Sequence, residues 1–506
     1  MPEHSDEPNA PDRRASLWWI VGTVGGCVLL LGVFVWVLAG LAIDPAISAQ
    51  AGHANVQALW PFWIAAGGLW LALTVLWWFC HRHPRTQSTA RFVGAVGVIV
   101  LVALAARSVV LFTHQPTLSD DIYRYVFDGH NTVNGINPYL PVPATRADSI
   151  NERWPGEQAV AKRVNHPDLS TIYLPTSQLV FAGATMLDQS PDESHVEARV
   201  IRGVFIGFDM ATIVMLLFIL YRARQSPWLA TLYAWHPLSI AEIAGSGHQD
   251  PVGIALLLGS ILVFTELPRR AMYWSLPLAL SALVKPIAAP IALVFLKSQR
   301  PRNWLISAAT ALIVCVVVAG PLLLTHNAKP LSQLRATAQQ FTLKWAHFGA
   351  AHEGILTAVE WITNDSNNST DTNWTREAQG SLSRAIAASL VVTCLIAVLV
   401  LRLDVSRAAL AMILAMLIFS STVHPWYVLW ALALVPVAGR GWLAIAAWIL
   451  SLTVLFGYAA WGYAVDDPGS LRWAAPTWVV VSAWAGVYAA LLAGGIGFTI
   501  RSLRTR

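Results

Sequence analysis

The sequence predicts an all-α protein that crosses a membrane many times, and three observations predict it. Of 506 residues, 56% are hydrophobic and only 12% charged, about half the charge of a soluble domain. Apolar runs long enough to cross a bilayer recur along the chain, and mean hydropathy is +0.55. Arg and Lys collect in short connections, the pattern that orients spans with their positive ends in the cytoplasm. The net charge of +5 therefore requires no nucleic-acid partner.

Residues 1–15 are polar and Pro-rich and read as a disordered cytoplasmic tail ending in Arg13-Arg14. Spans follow at about 16–43, 58–80 and 92–113, an N-terminal block over 16–113. The first is too long for a signal peptide and lacks a cleavage site, so it stays as an anchor. Loop 44–57 has no Lys or Arg, whereas Arg82, Arg85 and Arg91 lie between the second and third spans. The N-terminus is then inside and residue 114 outside.

Residues 114–198 form a large outer loop. Its apolar stretch Ile172–Leu187 is marginal for a ~30 Å core, and crossing would put Arg222, Arg224, Arg269 and Arg270 outside. It is expected to lie along the outer leaflet or dip into it. A transmembrane core (199–325), a second outer loop (326–381) and C-terminal spans (382–506) complete the plan, with about 12–14 spans and both termini cytoplasmic. Several spans are too short to cross alone as straight rods, and the pair around Lys285-Pro286 reads as one broken or re-entrant element.

Trp is abundant (24), with Trp18, Trp19, Trp60, Trp77 and Trp78 near span ends, where interfacial anchors belong. Cys27, Cys80, Cys315 and Cys394 all fall in apolar spans and read as small buried hydrophobes. Asn-x-Ser/Thr triplets between Asn364 and Asn373 are glycan acceptors only in a secretory-pathway protein.

The most informative polar run begins just after the third span, Ser119-Asp120-Asp121-Ile122-Tyr123-Arg124-Tyr125. Ser119 can cap a helix whose first turn holds Asp120 and Asp121, where negative charge meets the dipole favourably. Ile122, Val126, Gly129 and Val133 recur at helical spacing opposite Asp121, Arg124, Asp128 and Asn131, as on a membrane-surface helix. Two adjacent carboxylates repel, which raises one pKa and suits a general base; a plain solvated helix start is the alternative.

Further along, Gly245-Ser246-Gly247-His248-Gln249-Asp250 makes a tight turn between spans whose backbone can approach a ligand. Lys285 interrupts an apolar run, where a charge marks a site or snorkels to the interface. His424 precedes Pro425-Trp426-Tyr427. Asp209 lies mid-span seven residues after Arg202 and suits either a helix-holding ion pair or a functional role. His166, Tyr173 and Pro175 look like positioning residues. No nucleotide-binding signature is present, so chemistry outside the membrane needs a donor activated beforehand, such as a polyprenyl phosphate carrying a sugar.

These motifs, with Gly135-Ile136-Asn137-Pro138-Tyr139, Ile172-Tyr173-Leu174-Pro175 and Val284-Lys285-Pro286, resemble the GT-C glycosyltransferases in order from about residue 90 to 440. Within them the chain looks most like the polyprenol-phosphate-mannose-dependent enzymes of glycosyltransferase family 87 and the actinobacterial α-mannopyranosyltransferases. The resemblance implies a GT-C fold whose two large outer loops carry amphipathic helices. It implies inverting transfer of a sugar, mannose first, from a polyprenyl-phosphate donor to a glycan or glycolipid acceptor on the outer side of the cytoplasmic membrane, as part of the cell envelope. Asp120 or Asp121 is then the base. Arg124, His248, Asp250, Lys285 and His424 bind donor phosphate or sugar, and Tyr125, Asp128, Asn137, Tyr139, Tyr173 and Tyr427 position the substrates. A divalent metal (Mg or Mn) on Asp120, Asp121 and Asp250, as in some GT-C relatives, is an alternative source of positive charge that the sequence does not decide. The rival class is a transporter of polyprenyl lipid or solute, for which Asp209 and Lys285 would line a path; a non-catalytic assembly subunit is a third.

Overall fold

The computed structural model describes residues 13–41, 58–82, 89–149, 151–188, 198–267, 270–365, 376–462 and 477–504. Most of the N-terminal tail, Arg85, Arg269 and the Asn-rich stretch 366–375 lie outside the described residues. Those described are mainly helical, with no strand among them. The protein is an all-α polytopic membrane protein.

Eight helices among the described residues are long and apolar enough to cross a bilayer: Trp19–Ala39, Trp60–Arg82, Thr89–Thr113, Arg199–Arg222, Pro301–Leu323, Glu377–Val400, Trp442–Ala459 and Trp478–Gly497. The other apolar stretches are shorter or broken, as their lengths predict. Residues 227–245 form a chain of short turns, Pro227–Ala230, Thr231–Ala234, Pro237–Ser239 and the π-helix Ile240–Gly245.

Seven elements frame the polar region. They are α1 (Trp60–Arg82), α2 (Thr89–Thr113), α3 (Asp121–Val133), α4 (Pro175–Leu187), α5 (Arg199–Arg222), α6 (Asp250–Glu266) and α7 (Ala271–Ala282). The outer loop begins after α2 and returns to α5 at the same end of the bundle, because Arg202 near the start of α5 donates to the His114 carbonyl at 2.9 Å. Helix α4 within it has 13 residues, about 20 Å of rise, too short to cross alone. It starts at Pro175, which suits a first helical turn, and packs on α3.

That packing corrects the expected surface helix. Arg124, Asp128 and Asn131, on the polar face of α3, are buried along with Ile122 and Val126. Gly129 allows the close crossing: a Cβ there would meet the Phe181 carbonyl oxygen at 2.7 Å.

Tryptophan is divided between two uses. Trp19, Trp60 and Trp78 are exposed at span ends, as expected, but Trp77 is buried and donates to His81 Nε2 at 2.9 Å. Trp235, Trp274, Trp430, Trp448 and Trp484 are fully buried. Trp70 Nε1 donates to the Trp448 carbonyl at 3.0 Å, and Trp448 Nε1 to Thr74 Oγ1 at 2.8 Å, tying α1 to Trp442–Thr453. The four cysteines are free; Cys27 and Cys80 are buried, Cys394 is half-buried, and Cys315 is exposed.

The mid-span acid is also re-paired. Asp209 forms a fully buried ion pair with Arg107 of α2, while Arg202 donates to the backbone carbonyls of Ala244, His114 and Val110. The helix-holding ion pair thus joins α2 to α5, and Arg202 anchors the polar turn instead.

Candidate active site

The site is assembled at the bundle end where α2 finishes. Ser119 Oγ accepts the Asp121 backbone N–H at 3.3 Å, so it does the capping, with Asp120 at the N-cap position and Asp121 the first helical residue. The Asp121 carboxylate accepts from Asn165 Nδ2 at 2.7 Å and from the Tyr173 hydroxyl. Its pKa is raised, chiefly by burial and only secondarily by nearby charge, from Asp250. Burial, rather than repulsion between the vicinal carboxylates, is therefore the dominant cause.

Lys285 lies where the chain leaves α7. The residue before Pro286 is forced out of helical conformation, and Lys285 is extended (φ −151°, ψ 129°). Its Nζ donates to Asp250 Oδ1 at 2.7 Å and lies 3.9 Å from the Tyr427 ring centroid. Trp430 Nε1 donates to the same Asp250 oxygen at 2.6 Å.

That arrangement bears on the metal. One Asp250 oxygen is taken by an ammonium and an indole N–H, and no group of three or more His, Cys, Asp or Glu suited to a metal occurs among the described residues. The carboxylates do not fit the expected Mg or Mn site.

His248 and His424 belong to a ladder of rings. His248 stacks on Trp426 at 3.8 Å, Trp426 on His424 at 4.4 Å, and His424 on His347 at 4.7 Å. Burial first, then the Lys285 ammonium, holds His248 well below its ordinary pKa; burial and neighbouring imidazoles do the same to His424. Both are neutral. His248 faces carboxylates on both sides, Asp121 Oδ2 at 3.8 Å and Glu242 Oε2 at 3.5 Å.

The remaining residues form supports. Arg124 Nη2 donates to the His166 carbonyl at 3.1 Å, while its Nη1 is buried without a hydrogen bond. Asp128 accepts from Gln178 Nε2 at 3.0 Å, and burial raises its pKa to about 6. Tyr125 packs edge-on against Tyr173 and stacks on Phe181, and the Tyr139 hydroxyl donates to the Tyr173 carbonyl at 2.7 Å. Asn137 Nδ2 points to the Leu322 carbonyl at 2.6 Å, fastening the first outer loop to the span at 301–323. Tyr139 and Asn137 thus buttress the loop.

Asn165, Trp430, Glu242 and Tyr458 escaped identification from sequence as site residues. Only Glu242, a carboxylate in an apolar stretch, carried a local signal; the Tyr458 hydroxyl reaches it across 216 positions.

A polytopic helical bundle with a half-buried carboxylate and a lysine–aspartate pair at one end fits a membrane glycosyltransferase. Residues 19–300, more than half of the chain, match the model of the alpha-(1->6)-mannopyranosyltransferase family, N-terminal domain. The chain belongs to that family and is a membrane mannosyltransferase, acting on a sugar donor and an acceptor. Comparison with curated proteins and with solved structures found no match.

Proposed function

We propose that the chain moves mannose from a polyprenyl-phosphate donor to an acceptor hydroxyl at the outer face of the cytoplasmic membrane, inverting the anomeric carbon. The observation that carries this is the half-buried Asp121 carboxylate, held by Asn165 Nδ2, at the same end of the fold as the Lys285–Asp250 pair. Asp121 takes the acceptor proton as the acceptor oxygen bonds to C1; the C1–O bond to phosphate breaks, and its electron pair leaves with the phosphate. Lys285 has three donors and spends one on Asp250, leaving two for a phosphate. Arg124 Nη1 and the neutral imidazole of His424 complete the anion site. Each well-placed donor contributes roughly 3–4 kcal/mol at the transition state.

Sidedness rests on charge. Arg82, Arg222, Arg224, Arg407 and Arg440 lie on segments that end away from α3, and His81, Gln225, Arg407 and Arg440 border one 440 Å³ cavity there. Positive residues mark the cytoplasmic side, and this supports the reading with Asp121 outside and both termini inside. Membranes containing the enzyme are incubated with radiolabelled mannose linked either to polyprenyl phosphate or to a nucleotide. Label should pass to extractable product from the lipid-linked donor alone. Transfer from the nucleotide donor, or lipid movement without a new glycosidic bond, overturns the proposal.

A further inference from the structure

Glu242 is fully buried in the π-helix Ile240–Gly245, the kind of irregular turn that often occurs at functional sites. Its Oε1 accepts the Tyr458 hydroxyl at 2.6 Å. Its Oε2 has no hydrogen bond and lies 3.5 Å from His248 Nε2; His248 Nδ1, equally without one, lies 3.8 Å from Asp121 Oδ2. Three buried polar atoms therefore line up toward the base, each unpaired. Such atoms are costly to leave so, and catalytic hydrogen bonds that are long in a free enzyme tighten when substrate is bound. The imidazole cannot swing away without losing its stack on Trp426, whose ring is inclined by only 15°.

We propose that Glu242, held by Tyr458, acts through His248 as a positioning chain for Asp121; this rests on Asp121 being the base. The hydrogen-bond directions are consistent. Tyr458 donates to Oε1, which leaves Oε2 to carry the proton of a neutral carboxylic acid and donate it to His248 Nε2. A neutral imidazole has one donor and one acceptor, so Nδ1–H then points at Asp121 Oδ2. The chain fixes the tautomer and aims the carboxylate; no proton passes along it. His248 is accordingly assigned to the base rather than to the donor phosphate.

The test uses purified full-length enzyme with polyprenyl-phosphate mannose. Glu242→Leu fills the space without a hydrogen bond and should lower kcat roughly tenfold or more through misplacement of the base, with KM for the donor unchanged; the Tyr458 hydroxyl it strands lowers the melting temperature, so rates are compared on folded enzyme. Glu242→Gln keeps one donor and one acceptor and should recover most of the rate. Full activity in Glu242→Leu, or equal loss in the Gln and Leu variants, overturns the proposal. If the Leu variant fails to fold, Tyr458→Phe decides: a lower kcat at constant KM supports the chain and an unchanged kcat removes it. An active Asp121→Asn enzyme would instead overturn the base assignment, and this proposal with it. Loss in Asp121→Asn beside full activity in Glu242→Leu defeats the positioning chain alone.

Discussion

At the scale of single residues, Lys285 illustrates how a charge in an apolar run finds a partner. Desolvating an ammonium is expensive, and Asp250 at 2.7 Å offsets it. Lys285→Met alone strands a carboxylate that is 1% exposed, at a cost of about 3–5 kcal/mol. The low melting temperature expected of this variant does not discriminate between a phosphate role and a structural one. Lys285→Met combined with Asp250→Asn removes both charges, so thermal stability in detergent should return. If Lys285 binds the donor phosphate, donor affinity stays weak in the double variant; restored affinity would assign the lysine to structure alone. Lys285 stood out in the sequence because its neighbours are Ala, Leu and Val. Its partner did not, because Asp250 lies 35 positions away, and only the fold brings the two together.

At the scale of elements, the crossing of α3 on α4 sets where Asp121 lies. Gly129 sits at the crossing, with no room for a methyl group against the Phe181 backbone, whereas Gly183 on α4 has nothing within 4 Å of its own Cβ position. Gly129→Ala should therefore force the helices apart, costing about 1–3 kcal/mol and lowering turnover, while Gly183→Ala leaves both intact. A Gly129→Ala enzyme with wild-type melting temperature and rate would show that the crossing does not govern the base. The helical period of α3 was legible in the sequence, and so was its polar face. That this face is buried was not, because amphipathic spacing is the same for a helix lying on a membrane and for one whose polar side meets Asn165, His166 and Gln178 from another part of the loop.

At the scale of the molecule, composition alone identified a polytopic membrane protein, and the ordered motifs identified its enzyme class. Span boundaries were less legible. Residues 227–245 are apolar enough for a span, yet Pro227, Pro237 and the bonding of Arg202 to the Ala244 carbonyl divide them into turns. The sidedness proposed for the site can be read by labelling. In a background without the exposed Cys315, a cysteine at the exposed positions Gln115 or Asn134 should react with an impermeant thiol reagent added outside. One at Arg224, also exposed and beyond the other end of α5, should react only after permeabilisation. Outside labelling at 224 would reverse the orientation and put the site in the cytoplasm.

The most direct test of the whole account is the turnover of Asp121→Asn beside Asp120→Asn, measured with a lipid-linked mannose donor on enzyme of verified melting temperature. Asparagine keeps the size and the hydrogen bonds from Asn165 and Tyr173 in part, but cannot accept the acceptor's proton. General-base removal is expected to cost about a hundredfold or more, so Asp121→Asn should lose that much while Asp120→Asn loses less. An Asp121→Asn enzyme that turns over at the wild-type rate would contradict the assignment of the base and the mechanism built on it.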